Sequence, residues 1–190
     1  MPAEARDASG GRWAHGPGRA VFDAAQAELG RLPVIAEDLG VITPAVTRLR
    51  ESLGLPGMVV LQFGFNPHEL ESVHRPERYR AGQVLYTGTH DNDTLRGWFQ
   101  TLPPESVALV RAEGVSGREP WWGLMELALA SKPRLCMLQA QDVLGLGSEA
   151  RMNMPGVAGG QWRWRLAPGQ LTVAHARRLR RLTAGAGRLR

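Results

Sequence analysis

Residues 58–63 read MVVLQF, a short run that is almost wholly apolar and lacks strict alternation of polar and apolar side chains. Strands that are covered on both faces have this pattern, because neither face meets water. Three further runs share it, at residues 32–36 (LPVIA), 83–87 (QVLYT) and 135–140 (LCMLQA). We therefore predict four buried strands.

Helical patterns lie between these runs. Thr43 and Pro44 form an N-cap and first-turn signal for a helix that ends at Gly54. Apolar spacing and terminal Gly or Pro residues predict further helices at residues 21–29, 104–113, 121–132 and 172–183. Strands that alternate with helices predict an α/β fold with a parallel sheet and right-handed crossovers.

The composition is that of a soluble globular protein. The chain has 190 residues, of which 43% are hydrophobic and 22% charged, which excludes a disordered chain. No apolar run approaches the roughly 18 residues of a membrane span, and the N-terminus lacks a hydrophobic signal core. Cys136 is the single cysteine, which excludes an internal disulfide and favours a cytoplasmic location.

The net charge of +5 comes from the C-terminal segment, since residues 171–190 contain six arginines and no acid. We predict that residues 171–190 form a basic helix and tail, with Val173, Ala176, Leu179 and Leu182 facing inward and the arginines solvated. Nucleic-acid binding by this helix is the alternative, but we expect no nucleic-acid or membrane partner. Residues 1–12 show neither a helical nor a strand pattern, and we predict that they form an irregular start.

Polar residues follow three of the predicted strands. Glu37 and Asp38 follow the first, residues 89–94 (THDNDT) follow the third, and residues 141–142 (QD) follow the fourth. The carboxyl ends of parallel strands share one edge, where ligands and catalytic groups collect. Several acids at such an edge suit glycoside cleavage, whose transition state resembles an oxocarbenium ion.

Each candidate also has a purely structural interpretation. Glu37 or Asp38 could cap a turn, and His90 could be a hydrogen-bonded core histidine. Asp91 and Asp93 could form turns through Asx bonds. Two further aromatic residues are assigned to strand-face packing rather than to a sugar platform: Trp162 and Trp164.

Four strings carry a resemblance to a known family. They are IAEDLGVITPAVTRLRESLGLPGMVVLQFGF (residues 35–65), YTGTHDNDTLRGW (86–98), QDVLGLGSEARMNMPG (141–156) and QWRWRL (161–166). In this order they closely resemble the C-terminal part of 4-α-glucanotransferases, the amylomaltase or disproportionating-enzyme family. The resemblance runs from about residue 11 to about residue 182.

The resemblance implies specific roles. Glu37 matches the general acid/base, and Asp91 matches an essential carboxylate that binds hydroxyls of the sugar at the cleavage point. His90 matches a substrate-binding histidine, Asn153 a residue near the donor or acceptor sugars, and Asp38 a residue that supports Glu37 or contacts sugar. The implied reaction transfers α-1,4-glucan segments between maltooligosaccharides by a retaining double displacement. No cofactor or metal is implied.

The resemblance also implies a missing part. The family's nucleophilic aspartate lies in a string like R-I-D-H-F, which this chain lacks. A (β/α)8 barrel needs eight strands and about 250 residues. We therefore expect residues 1–190 to be a partial catalytic domain, the C-terminal half (about strands 5–8) of a TIM-type barrel, inactive alone. The alternatives are a non-catalytic glucan-binding remnant and one half of a split enzyme that pairs with an N-terminal half.

Overall fold

The computed structural model describes residues 3–7, 9–12 and 14–189. The α-helices in these residues are α1 (Arg19–Leu29), α2 (Pro44–Ser52), α3 (Leu95–Gln100), α4 (Pro104–Ala112), α5 (Pro120–Ala130), α6 (Ala140–Val143) and α7 (Val173–Gly185). The strands are β1 (Met58–Val60), β2 (Val84–Tyr86) and β3 (Leu135–Met137), and short 3-10 helices occupy Leu61–Phe65, Pro76–Arg78 and Ser148–Ala150. Residues 3–7 and 9–12 form turns and bends.

The strands form a parallel sheet in the order β1-β2-β3. In register, Val59 pairs with Leu85, which pairs with Cys136. The connections from one strand to the next are long, as parallel pairing requires. The predicted α/β class with a parallel sheet is confirmed.

The predicted strand at residues 32–36 is wrong. This segment has an extended backbone but no strand assignment. The Ala36 N–H donates to Pro56 O at 2.9 Å, and one such bond between described residues does not make a ladder. A strand exists only where a neighbouring strand pairs with it, and an apolar run by itself does not show whether that neighbour is present.

The other three strands are present but shorter than predicted. The chain leaves β1 after Val60 and turns into a 3-10 helix. In β3, Cys136 packs against the core, whereas Leu135 and Met137 are exposed on the other face. The prediction that this strand is covered on both faces is therefore wrong, because side chains alternate between faces and the described residues cover only one of them.

The helix boundaries follow the local signals closely. Thr43 Oγ1 accepts the Val46 N–H at 3.5 Å, with Pro44 in the first turn of α2. Gly30 adopts φ = 73° just after α1, a conformation that costs glycine little. The short helices α3 and α6 were not predicted, since six and four residues are too few to display a helical period.

The chain divides into two compact units. One comprises residues 1–34 and 40–55 and contains α1 and α2, which bury no residue. The other comprises residues 35–39 and 56–190 and contains the sheet and the hydrophobic core. The core gathers side chains from the sheet, α3, α4 and α5, including Val59, Leu85, Leu95, Val110 and Leu124.

Helix α7 packs against this core through Leu179 and Leu182. The prediction that Val173 and Ala176 also face inward is wrong, because both are exposed. The reason is that only the central and C-terminal turns of α7 lie over the core. Among the described helices, none is long and apolar enough to cross a lipid bilayer.

Candidate active site

A cleft of about 410 Å³ lies in the second unit, beyond the carboxyl ends of β2 and β3. Its walls combine apolar side chains with amide, imidazole and carboxylate groups. The lining residues are Ile35, Glu37, Met58, Tyr86, Gly88, Thr89, His90, Gln139, Gln141 and Met152. Its position agrees with the expected ligand-binding edge of a parallel sheet.

Glu37 lies on the wall of this cleft and is exposed to it. Its two neighbours anchor the segment. Ala36 N–H donates to Pro56 O at 2.9 Å, and Asp38 Oδ1 accepts the Met58 N–H at 2.7 Å. These bonds hold the backbone on both sides of Glu37, whose side chain lines the cleft.

Asp38 fits closely against the start of β1. A Cβ atom on Gly57 would lie 2.4 Å from Asp38 Oδ2, so only glycine permits this approach. Asp38 thus joins the segment that contains Glu37 to the start of β1.

The loop of residues 88–94 carries His90 and Asp91. Its fold depends on Asn92, whose Oδ1 accepts hydrogen bonds from Thr89 N–H and Thr89 Oγ1, both at 2.8 Å. Two glutamines secure it from either side. Gln62 Nε2 donates to Asp93 O and Gln139 Nε2 donates to Thr89 O, each at 2.8 Å.

Neither glutamine is among the site residues predicted from the sequence. The detectable signal is a polar residue inside an apolar run, at Gln62 in MVVLQF and at Gln139 in LCMLQA. A buried polar side chain needs a hydrogen-bond partner, and Gln62 is buried. Such residues therefore point to a loop or ligand that must be held.

His90, Asp91 and Asn153 lie together. Asn153 Nδ2 donates to Asp91 Oδ1 at 2.6 Å, and His90 Nε2 lies 3.4 Å from the same oxygen. Arg151 donates to the Asp91 carbonyl at 2.5 Å and to the Asn153 carbonyl at 2.9 Å. Three residues predicted from two separate strings are thus brought into one cluster, beside the cleft that His90 lines.

His90 is half exposed, at 50% of its side-chain surface, so the alternative of a core histidine is wrong. Asp93 does not form the predicted Asx bond, because its carboxyl oxygens bind the adjacent Thr94 and the distant Ser148. Its Oδ1 accepts the Thr94 N–H at 2.7 Å and its Oδ2 accepts Ser148 Oγ at 2.5 Å. Asp91 also binds a residue that is distant in sequence, since its Oδ1 accepts the Asn153 amide.

Asp142 is buried, although it lies shortly after a strand, as Asp91 does. Its Oδ2 accepts Thr87 Oγ1 at 2.8 Å and its Oδ1 accepts the Leu95 N–H at 2.7 Å. Burial raises the pKa of the Asp142 carboxyl to about 6, while these two hydrogen bonds act in the opposite direction. Asp142 therefore belongs to the framework and does not line the cleft.

The assignment of Trp162 and Trp164 to strand-face packing is wrong, because residues 161–166 form no strand. The Trp162 ring lies 4.9 Å from the His90 ring, centroid to centroid. QWRWRL gives the period of a strand, but a period of two over so few residues does not guarantee a pairing partner.

Two C-terminal arginines have partners within the chain. Arg178 binds Glu119 Oε2 at 2.7 Å and lies 4.1 Å from the centroid of the Trp122 ring. Arg188 donates to carbonyl oxygens near the end of α5, including Ser131 O and Pro133 O, both at 2.7 Å. Two of the six arginines in residues 171–190 therefore contribute to the stability of the fold.

Comparison with known proteins identifies the family. The family model for 4-alpha-glucanotransferase matches residues 1–172. The chain belongs to the 4-alpha-glucanotransferase family. The resemblance predicted from AEDLG, GTHDND and the accompanying strings is thereby confirmed.

Individual relatives agree with this assignment. A 4-alpha-glucanotransferase of Thermus thermophilus is 47% identical over 198 residues, which cover 100% of this chain and 39% of that protein. A chloroplastic/amyloplastic 4-alpha-glucanotransferase of Solanum tuberosum is 46% identical over 195 residues, 100% of this chain and 34% of that protein. The chain thus spans little more than a third of the length of these relatives.

A solved structure supports the fold. The amylomaltase from Streptococcus agalactiae in complex with acarbose matches with a TM-score of 0.87 and 32% sequence identity. The match covers 94% of this chain and 37% of that structure. This likeness supports the α/β fold.

Proposed function

We propose that this chain provides the acid/base part of a 4-alpha-glucanotransferase active site. The observation that carries the proposal is that Glu37 and His90 line one cleft beyond the carboxyl ends of β2 and β3. Asp91 and Asn153 join His90 at the margin of that cleft. The substrates are α-1,4-glucans such as maltooligosaccharides, and the acarbose bound to the Streptococcus agalactiae amylomaltase supports this choice.

Glu37 acts on both halves of the reaction. In the first half its carboxylic acid donates a proton to the glycosidic oxygen as the bond from C1 to that oxygen breaks, and an aspartate carboxylate forms an ester to C1. In the second half the Glu37 carboxylate removes the proton from the 4-hydroxyl of the acceptor sugar, whose oxygen displaces the aspartate. The anomeric configuration is inverted twice and is therefore retained.

Asp91, His90 and Asn153 bind the sugar at the cleavage point. Asp91 has acceptor oxygens for sugar hydroxyls, and the imidazole and amide beside it offer further donors and acceptors. Hydrogen bonds that favour a distorted sugar ring contribute several kcal/mol to such reactions. Asp38 positions Glu37 through its bond to Met58 N–H.

The nucleophile is supplied from outside these residues. We propose that residues 1–190 are part of a catalytic domain, the C-terminal half of a (β/α)8 barrel, and that an N-terminal half carries the aspartate about 5 Å from Glu37, as retaining enzymes require. The parallel β1-β2-β3 order and the relatives' greater length support this. We place the protein in the cytoplasm, with glucans and the N-terminal half as its partners.

One observation favours a second function for the chain alone. Of the residues described, Glu37 is the one acid that lines the cleft, and a double displacement needs two carboxylates. The isolated chain would then bind glucan without turning it over. Incubation with maltotriose should yield neither glucose nor longer maltodextrins, and turnover by the chain alone would contradict this part of the proposal.

A chimera tests the proposed activity. The part of the Thermus thermophilus relative that precedes its matched segment is fused to this chain, and transfer is measured as glucose and longer maltodextrins formed from maltotriose. We expect transfer, and we expect E37Q to lower it by about a thousandfold. The matched control is E126Q, at an exposed position of α5, which should leave the rate unchanged.

Two outcomes would contradict the proposal. A cooperatively folded chimera with no transfer would refute the catalytic role of the chain. Equal rates in E37Q and the parent chimera would refute Glu37 as the acid/base. The Thermus thermophilus protein with its own C-terminal segment serves as the positive control for the assay.

A further inference from the structure

Trp162 has a backbone conformation that is rare for its residue type. Its φ is 61°, and among the described residues it is the sole non-glycine residue with a positive φ. For a bulky side chain this conformation is an outlier that costs free energy, and such residues cluster at functional sites. Something in the surrounding structure must therefore maintain it.

The loop between Met152 and Trp162 maintains this conformation. Trp162 N–H donates to Met152 O at 2.7 Å, which closes the loop. Met154 N–H donates to Gln161 Oε1 at 2.8 Å inside it, and Arg165 Nη1 donates to Trp162 O at 2.9 Å outside it. These bonds fix the backbone on both sides of Trp162.

Both ends of this loop contact His90 and Asp91. At its start, Asn153 N–H donates to His90 O at 3.1 Å and Asn153 Nδ2 donates to Asp91 Oδ1 at 2.6 Å. At its end, the Trp162 ring lies against the His90 ring with an interplanar angle of 37°. The imidazole thus has the indole beside it and the Asp91 carboxylate 3.4 Å from its Nε2.

Core packing does not account for the strain. Trp162 is 49% exposed and is not a member of the hydrophobic core. A half-exposed side chain gains little from burial, whereas its ring and the Asn153 amide together limit the movement of His90 and Asp91. The strained conformation is what brings the indole to the imidazole.

We propose that Trp162 is a positioning residue, which holds His90 at the cleft wall and, together with Asn153, fixes the Asp91 carboxylate for sugar binding. The glucan-binding consequence rests on the proposed function, but the positioning itself does not. Glycine would adopt this φ without strain. A tryptophan at position 162 therefore lowers the stability of the fold, while it orders the side chains of His90 and Asp91.

Three substitutions separate strain from positioning. W162G removes the ring and the strain, W162A removes the ring alone, and W162F retains a ring. W164F is the matched control, since Trp164 lies two residues away in the same string. All variants are made in the full chain, and thermal unfolding, NMR spectra and acarbose affinity are measured for each.

The spectra and unfolding test positioning without ligand. The Asn153 side-chain amide signals should keep their positions in W162F and W164F and should shift toward those of an unbonded amide in W162A and W162G. W162G should unfold about 2–4 °C above W162A, because it alone relieves the strain. Unchanged Asn153 signals in W162G, or a W162G that unfolds below W162A, would overturn the proposal.

Acarbose affinity tests the functional consequence. We expect W162A and W162G to bind about tenfold more weakly than the parent chain, because a displaced binding group loses its contacts, and we expect W162F and W164F to bind within about threefold of the parent. Parent-like affinity in W162A would overturn the role in sugar binding. A parent chain that binds no acarbose, with Asn153 signals that shift as expected, would refute glucan binding by the isolated chain and leave the positioning in place.

Discussion

The segments that follow β2 and β3 each place an aspartate near the carboxyl end of the sheet, Asp91 in the loop of residues 88–94 and Asp142 in α6, and these two aspartates have opposite environments. The Asp91 side chain is 47% exposed beside the cleft, whereas Asp142 is 0% exposed. Asp91 accepts from an amide that belongs to a neighbouring loop, and Asp142 accepts from a hydroxyl and a backbone N–H in the interior. Sequence position alone does not separate a binding group from a framework group, because burial and donors determine which one a carboxylate becomes.

The two regions are also linked. Thr87 and Leu95, which bind the Asp142 carboxyl, lie directly before and after the loop of residues 88–94. A single buried carboxyl group therefore holds both ends of the loop that carries His90 and Asp91. The exposed residues can serve a ligand because the buried one fixes the ends of their loop.

The largest expected effect is that of D142A. The substitution leaves the Thr87 hydroxyl and the Leu95 N–H buried without an acceptor, which we expect to lower the free energy of unfolding by about 3–4 kcal/mol. D91A removes a carboxylate that water can partly replace, and we expect it to cost about 0.5–1 kcal/mol. Urea unfolding followed by circular dichroism measures both.

D91A should be the more stable of the two variants but should bind acarbose more weakly than D142A. D91A should weaken acarbose binding at a temperature where it remains folded, since the proposed sugar contact is lost. Equal losses of stability in D91A and D142A would contradict the difference between the two aspartates, because Asp91 would then be part of the framework as well.

The next effect is a pH dependence that comes from Asp142. Burial raises its pKa from the ordinary 3.8 to about 6, so between these values the folded state binds more protons than the unfolded state. The contribution to stability is therefore complete below about pH 3.8 and is lost as the pH rises through about 6. From pH 4.5 to 7 the loss amounts to about 2 kcal/mol.

The other acids also titrate in this range, so the effect of Asp142 is measured as a difference. D142N cannot titrate at position 142, and the free energy of unfolding of the parent chain minus that of D142N should fall as the pH rises from 4.5 to 7. A difference that stays constant or rises would show that the Asp142 carboxyl is ionised in the folded state throughout this range.

Elements with local signals were predicted well from the sequence. Thr43, Pro44 and Gly54 located α2, and Gly30 located the end of α1, because capping depends on a few adjacent residues. The strand at residues 32–36 was predicted wrongly, since pairing depends on a partner that an apolar run does not specify. The exposed face of β3 was missed for the same reason.

The candidate site was predicted in part. The family strings placed Glu37, His90, Asp91 and Asn153 among the candidates, and the structure brings the last three into contact. The burial of Asp142 depends on donors from Thr87, just after β2, and from Leu95 in α3, which no pattern in LCMLQAQD reveals. The positive φ of Trp162 was not predicted, because the string QWRWRL does not specify the sign of φ.

The smallest expected effect is that of removing one hydroxyl group, from Thr87 in the interior or from Thr89 in the loop. T87V removes the donor to Asp142 Oδ2 in the interior, and we expect it to cost about 1–2 kcal/mol. The matched control is T89V in the loop of residues 88–94, whose hydroxyl donates to Asn92 Oδ1 at 2.8 Å at a partly buried position. It should cost about 0.5 kcal/mol.

The same pair of variants carries a second readout. The Thr87 hydrogen bond lowers the pKa of the Asp142 carboxyl, so its loss in T87V should raise that pKa further. The fall in stability with rising pH should then extend above pH 6 in T87V and should end in T89V at the same pH as in the parent chain. Identical pH profiles in T87V and T89V would mean that the buried carboxyl does not depend on the Thr87 hydroxyl, and that Leu95 N–H alone joins Asp142 to the loop of His90 and Asp91.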